Sequence, residues 1–334
     1  MSFDLLTFGR ASIDLYSKNI GAEFNDIKEL TTAIGGSPVN IAVGAQRLGL
    51  KTALFSAVGP DLIGGFIENT LQKEGVDTTH LQTINGTTST AVVCGIQPPE
   101  TFPLVFYRDN APDNKITIDH INQVDFLNYK SFLMTGTALA VEPTRSAAFY
   151  ASEKAKQLGL PIFLDVDFRA NLWHDVRAFG TTMRQYLKYT DVVIGTEEEL
   201  LAMYLDNVDQ VKIKNSSISA PTIKGNLDEA IKLVLKQGVE LLLVKTGPQG
   251  VIAYHQDGRV ETIPGFPVDV INVLGAGDAF AGGFIYGYIK GWDTYKSLRL
   301  ANACGAWLVT KKGCCNYAPY YDEIIQFITN NGGF

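Results

Sequence analysis

"IGGSPVNIAVGAQRLGLKTALFSAVG", residues 34–59, carries two different signals back to back. Two glycines lead into Ser37, a good helix N-cap, and Pro38, which suits a first helical position. The pattern predicts a helix over 38–48, ended by Gly49 at the C′ position. The next run, 52–59, is short, continuously apolar and closed by glycine, which reads as a buried strand. A helix leading into a strand of this kind belongs to a crossover between parallel strands covered on both faces.

The same alternation continues along the chain. "FDLLTFG", "SFLMTG", "PIFLDVD", "DVVIG" and "ELLLVKTG" read as further buried strands, with helical patterns at 62–74, 144–158, 175–188, 197–205 and 226–237. The predicted fold class is α/β: a doubly wound, mostly parallel sheet with helices on both faces. Two segments break the rhythm, 10–34 and 88–110. Both read as β-ribbon with turns, including Pro98-Pro99 in the second, and are expected to form a small β lid. A further hairpin is expected over 250–264, turning at Asp257-Gly258. Residues 208–225 are polar and read as a surface loop. The whole chain, 1–334, is treated as one domain with its lid.

The totals narrow the function classes. Hydrophobic residues make up 46% and charged residues 19%, as a sizeable soluble core requires, and the net charge is −7. That balance argues against a nucleic-acid partner or an anionic membrane surface. No apolar run reaches the ~18 residues of a membrane span. The N-terminus lacks the basic and apolar regions of a signal peptide. Four cysteines, none in CxxC spacing, suit a reducing compartment, so the expected location is cytoplasmic.

In open parallel sheets, ligands bind beyond the carboxyl ends of the strands. Near the chain's end stands "NVLGAGDAF", residues 272–280. Its glycines let the N–H groups of 275–278 converge, and the helix that follows offers its N-terminus to an anion. A dinucleotide fingerprint fails because the position three past Gly277 is Phe280, and no Walker loop is present. Asp278 is then either a first-turn acid serving the helix dipole or a base in an anion cradle. Gly282, Gly283 and Gly287 each cost up to ~1 kcal/mol in a helix and call for a tertiary reason, such as close packing on the sheet. At the other end, capping accounts for Ser37, Pro38 and Gly49 but not for Gly35, Gly36 or Asn40. The glycine pair permits close approach of a ligand, and an asparagine can both donate to and accept from a sugar hydroxyl.

With "GGSPVN" near the start and "GAGD" near the end, the chain resembles the ribokinase-like (PfkB) family of carbohydrate kinases over nearly its whole length. The resemblance implies phosphoryl transfer from ATP, with Mg²⁺, to a sugar hydroxyl. It implies Asp278 as catalytic base and the N–H groups of Gly275, Ala276 and Gly277 as anion hole. Asp14, Gly35, Gly36 and Asn40 then match sugar-binding positions, and Asn302 matches the nucleotide side. Lys245-Thr246-Gly247 ends a strand and is expected to line the nucleotide cleft. Plainer explanations stay open: Asp14 as a turn acid, Asn40 as a solvated side chain, Asn302 as an interhelical hydrogen bond. Relatives bind a monovalent cation near Cys314 and Cys315, but thiols are wrong ligands for potassium, so both are read as structural. The β lid is also the expected surface of a homodimer.

The chain departs from the family pattern in two places. Asn272-Val273-Leu274 replaces Asp-Thr-Thr ahead of GAGD, and Thr196-Glu197-Glu198-Glu199 replaces Asn-x-x-Glu. Glu199 keeps the position of a metal contact, through water, but Thr196 and Glu199 also spell a capping box. Arg108, in "FPLVFYRDNAPD", and Arg169, in "DVDFRANLW", are expected to meet in the sugar pocket, where arginine forks would hold a carboxylate. The alternative is that they pair with Asp109, Asp165 or Asp167. Both segments resemble those of the family's sugar-acid kinases, so the expected partners are ATP and a dehydro- or keto-deoxy-gluconate, with neutral fructose the alternative. A non-catalytic sugar sensor is the competing class; Asp278 and the intact GAG speak against it.

Overall fold

The computed structural model describes residues 2–98, 102–213 and 221–334. The chain opens with β1 (Leu5–Phe8), then leaves for a ribbon of β2 (Ser12–Ser17) and β3 (Leu30–Gly35). It returns through α1 (Ser37–Arg47) to β4 (Thr52–Val58), α2 (Leu62–Lys73) and a short β5 (Leu81–Thr83). A second excursion makes β6 (Thr90–Cys94) and β7 (Leu104–Tyr107), followed by the one-turn α3 (Ile118–Ile121). Strand and helix then alternate: β8 (Phe132–Thr135), α4 (Thr144–Gln157), β9 (Ile162–Asp165), α5 (Val176–Tyr186), β10 (Val192–Thr196) and α6 (Glu197–Ala202). After a small ribbon, β11 (Val211–Lys212) and β12 (Thr222–Ile223), come α7 (Leu227–Lys236) and β13 (Leu241–Lys245). The hairpin β14 (Gly250–His255) and β15 (Val260–Pro264) precedes α8 (Ala276–Ile289), α9 (Thr294–Val309) and α10 (Tyr321–Asn330).

The main sheet has nine strands in the order β15-β14-β13-β10-β9-β8-β1-β4-β5. It is parallel from β13 to β5, and only the β14–β15 hairpin edge runs antiparallel. Alternate residues feed two cores. Leu6, Phe8, Phe132 and Met134 face one side, while Leu5, Leu133, Phe163 and Leu243 face the other. That is why these strands read as unbroken apolar runs: each is buried on both faces. The winding reverses between β1 and β8, so the crevice at their carboxyl ends is the place for a ligand. The lid is a separate four-stranded sheet, β3-β2-β6-β7, built from the two segments that broke the alternation.

Several local expectations need correction. The N-cap of α1 is Gly36, not Ser37. Gly36 sits at φ 103°, and a methyl there would strike the Arg10 carbonyl, so only glycine can make the entry. The glycines of α8 pack against helices rather than the sheet. A methyl on Gly282 would stand 3.3 Å from the Ala45 backbone of α1, and one on Gly283 3.0 Å from Ala301 of α9. Predicted helix 197–205 ends at Ala202. The 208–225 segment contains the β11–β12 pair; its residues 214–220, like Pro99 in the expected Pro98-Pro99 turn, lie outside the described residues.

Candidate functional site

Asp278 stands on the first turn of α8. Its loop is shaped by Gly275, which caps the helix in the left-handed region at φ 80°. A methyl at 275 would collide with Cys314 Sγ, so a buried thiol fills the space beneath the turn. The expected N–H cradle is only partly free. The Ala276 N–H is taken by the Val273 carbonyl at 3.2 Å, whereas Gly275 and Gly277 have no backbone partner among the described residues. A methyl on Gly277 would come 2.9 Å from Lys245 Nζ, so the lysine lies directly against the cradle.

The two signature segments meet at one carboxylate. Asn40 Nδ2, on α1, donates to Asp278 Oδ2 at 2.6 Å. Asn40 is therefore buried and bonded, not solvated. Ser37, freed from capping, gives its hydroxyl to Asp165 Oδ2 at 2.7 Å. Burial raises the Asp278 pKa, and the neighbouring charge of Asp167 adds to the rise; Asn40, Ser37 and Arg169 oppose it. Burial likewise pushes Asp165 up to about 7, against the pull of Lys245. Lys245 Nζ lies 3.7 Å from Asp165 and 3.8 Å from Glu199, and these acids outweigh burial in keeping it charged.

Glu199 forms the capping box read from the sequence. Its Oε2 accepts the Thr196 N–H at 2.8 Å, and its Oε1 accepts the Phe168 N–H at 3.2 Å. Among the described residues, no three His, Cys, Asp or Glu side chains gather as a metal site.

On the lid side, Asp14 is buried on β2, where it accepts from Ser12 Oγ at 2.8 Å and Tyr16 Oη at 3.2 Å. Burial raises its pKa. A methyl on Gly35 would run into this carboxylate. The glycine pair thus makes room for the protein's own Asp14 and Arg10, a reason the sequence did not disclose. Arg169 pairs with Asp167 at 2.7 Å, as the structural alternative anticipated. Asp167 holds a left-handed φ of 39°, which aspartate tolerates, and accepts from Thr137 at 3.2 Å. Arg108 pairs with Asp113 at 2.8 Å, a partner the sequence reading did not consider. Arg169 touches Asp167, and Arg108 also feels the charge of Asp167. Arg10, two residues past the end of β1, is the residue missed; its position past a buried strand was the available signal.

On the far side of Asp278 opens a cavity of about 430 Å³. Phe266, Val270, Val273, Phe280 and Val309 supply apolar walls, while Lys245, Gly277 and Asn302 mark its polar end. Gly247 lines it but Thr246 does not; the Thr246 N–H closes a turn onto the Gly250 carbonyl at 2.9 Å. Asn302 donates to the carbonyls of Ile263 and Pro264, so its bond runs from helix to strand, not between helices. The four cysteines are buried and free, Cys315 bonding the Ile34 carbonyl. Among the described residues no helix is long and apolar enough to cross a membrane.

Such a site can align an anion over Gly275 and Gly277, with a carboxylate poised beside it and a charged pocket beyond. The pfkB family carbohydrate kinase model matches residues 2–320. A 5-dehydro-2-deoxygluconokinase from Geobacillus thermodenitrificans is 33% identical over 97% of this chain and 93% of its own length. One of the same name from Clostridium perfringens is 32% identical over 98% of this chain and 93% of its own. Among solved structures, a candidate ribokinase II from E. coli in complex with ATP and Mg²⁺ superposes with TM-score 0.84 at 24% identity, covering 99% of this chain and all of that one, a likeness of fold. A double-mutant fructokinase from Vibrio cholerae, bound to fructose, ADP and potassium, gives TM-score 0.81 at 25% identity over 98% of both chains.

Proposed function

The chain belongs to the pfkB family of carbohydrate kinases and is a phosphotransferase acting on a sugar hydroxyl; we propose that its acceptor is the sugar acid 5-dehydro-2-deoxygluconate and its donor ATP. The observation that carries the reading is the 2.6 Å bond between Asn40 and Asp278. It joins the sugar-side and phosphate-side segments at a single carboxylate.

Phosphoryl transfer needs alignment and charge stabilisation more than covalent chemistry. Asp278 takes the proton of the sugar hydroxyl as its oxygen bonds to phosphorus. Asn40 fixes the direction of that carboxylate. The N–H groups of Gly275 and Gly277, with Lys245 behind them, face the phosphoryl oxygens. Asp14, Gly35, Gly36, Asn40, Arg108 and Arg169 surround the sugar. The adenine base enters the apolar cavity, with Asn302 and Gly247 at its border. Mg²⁺ bound to the nucleotide would neutralise phosphate charge; Glu199, whose oxygens each already accept one N–H group, would meet it through water. A monovalent cation beside the Cys314 loop would have to use backbone carbonyls, since burial keeps both thiols protonated. Leu30, Val105 and Tyr107, exposed on the lid, are the surface through which two copies would pair in the cytoplasm.

The test is coupled ATP turnover with 5-dehydro-2-deoxygluconate, 2-keto-3-deoxygluconate and fructose. The first should have the highest kcat/KM and fructose the lowest. Arg108→Ala should lower kcat/KM for the sugar acids at least ~10-fold, the scale of one lost hydrogen bond to a charged group. A preference for fructose, or equal losses on acid and neutral sugars, would overturn the reading.

A further inference from the structure

Arg10 leaves the end of β1 at the switch in winding and turns beneath the lid. Its guanidinium carbon lies 5.3 Å from the centre of the Phe106 ring. Nη1 donates to Ser12 Oγ at 2.8 Å, and that hydroxyl passes its own proton to Asp14. Nε is buried and has no partner among the described residues. Arg108 stands two residues beyond Phe106 and shows the same deficit. Its Nη2 serves Asp113 and Asn114 at 2.8 and 3.1 Å, while its Nη1 is buried without a partner. Burial lowers the Arg108 pKa; Asp113 opposes the drop, and the charge of Arg10 deepens it, so the two cations feel one another.

Two neighbouring guanidinium groups with unused buried N–H donors are costly twice over, through repulsion and through lost hydration. An anion with several lone pairs removes both costs, and a carboxylate has about four acceptor sites. Arg169 is placed differently. Its Nη2 is held by Asp167 at 2.7 Å and its Nη1 by the Phe168 carbonyl at 2.9 Å. Its charge is already answered, and it lies within reach of Asp278.

We propose that Arg10 and Arg108 together form the fork for the substrate's carboxylate, with Arg10 setting the preference for an acid over a neutral sugar. Arg169 instead balances Asp167 beside the base. The assignment rests on the sugar-acid reading above.

Steady-state kinetics on the full chain, comparing 5-dehydro-2-deoxygluconate with its carboxamide, test it. Wild type should prefer the acid. Arg10→Met, similar in length but uncharged, should lower kcat/KM for the acid at least ~10-fold and for the amide no more than ~3-fold, the loss appearing mainly in KM. Arg10→Lys, which keeps the charge without the fork, should fall between the two and decides the matter if the Met variant does not fold. Arg169→Met should lower both substrates in similar proportion. If wild type prefers the acid but the Arg10 variants keep that preference in full, Arg10 is a structural cation and the proposal fails while the sugar-acid reading stands. If wild type prefers the amide, the sugar-acid reading itself is lost.

Discussion

The two sides of Asp278 are built on opposite principles. Toward the lid lie the buried Asp14, Asp165 and Asp167 and the half-buried Arg10, Arg108 and Arg169, tied together by ion pairs and hydrogen bonds. Toward the cavity, the walls are largely Phe, Val, Pro and Gly, with one lysine and one asparagine at the rim. A sugar acid has little apolar surface and must be recognised by directed hydrogen bonds and charge. An adenine base presents flat apolar faces and gains from burial alone. In the proposed function, the charge-dense side carries specificity, and the apolar side carries grip on a shared donor. Asp278, at the boundary, has its pKa raised by burial first and by the charged side next.

The comparison breaks most visibly at the boundary itself. Asp278→Asn should keep the fold and lower kcat by ~10²–10⁴-fold, the span for losing a general base. Its KM values for sugar and ATP should move little. Turnover close to wild type would remove Asp278 from its assigned role.

Filling the apolar side should separate the two functions. Ala306 lines the cavity between α9 and the β15–α8 connection. Ala306→Phe should raise KM for ATP roughly 10-fold, equivalent to about 1.4 kcal/mol of binding, and leave the ranking of sugars unchanged. A change in sugar preference in this variant would show that the two sides are not independent.

The smallest effect concerns the acid limb of the kcat profile. As the proposed base, Asp278 must be ionised, and its pKa is raised by burial first and by Asp167 next. Activity should therefore fall as pH drops through a value above the ordinary carboxylate range. Asp167→Asn removes a charge that raises this pKa and should move the limb to lower pH. Arg169→Met removes one that lowers it and should move the limb to higher pH. Shifts of the same sign in both variants would mean that neither residue acts on Asp278 by charge.

The charged side was also the harder one to read in the sequence. The parallel sheet was legible because each strand is buried on both faces and so is an unbroken apolar run. The lid was legible because two ribbons interrupt that rhythm. The capping box at Thr196 and the turn at Gly275 follow from local chemistry and were visible for that reason. Pairing across the fold leaves no local signature. That Gly35 yields space to Asp14 and that Ser37 bonds Asp165 rather than capping α1 depend on how β2, β3, α1 and β9 come together. Arg10 passed as the first residue of the lid segment because nothing beside it in the chain announces the Phe106 ring or Arg108.

The packing of Cys314 beneath Gly275 makes one small side chain a distant support for the acid. Asp278 sits on a turn whose floor is a thiol 36 positions further on. A change of volume at Cys314 would therefore tilt the turn and reach the Asp278 carboxylate without touching it.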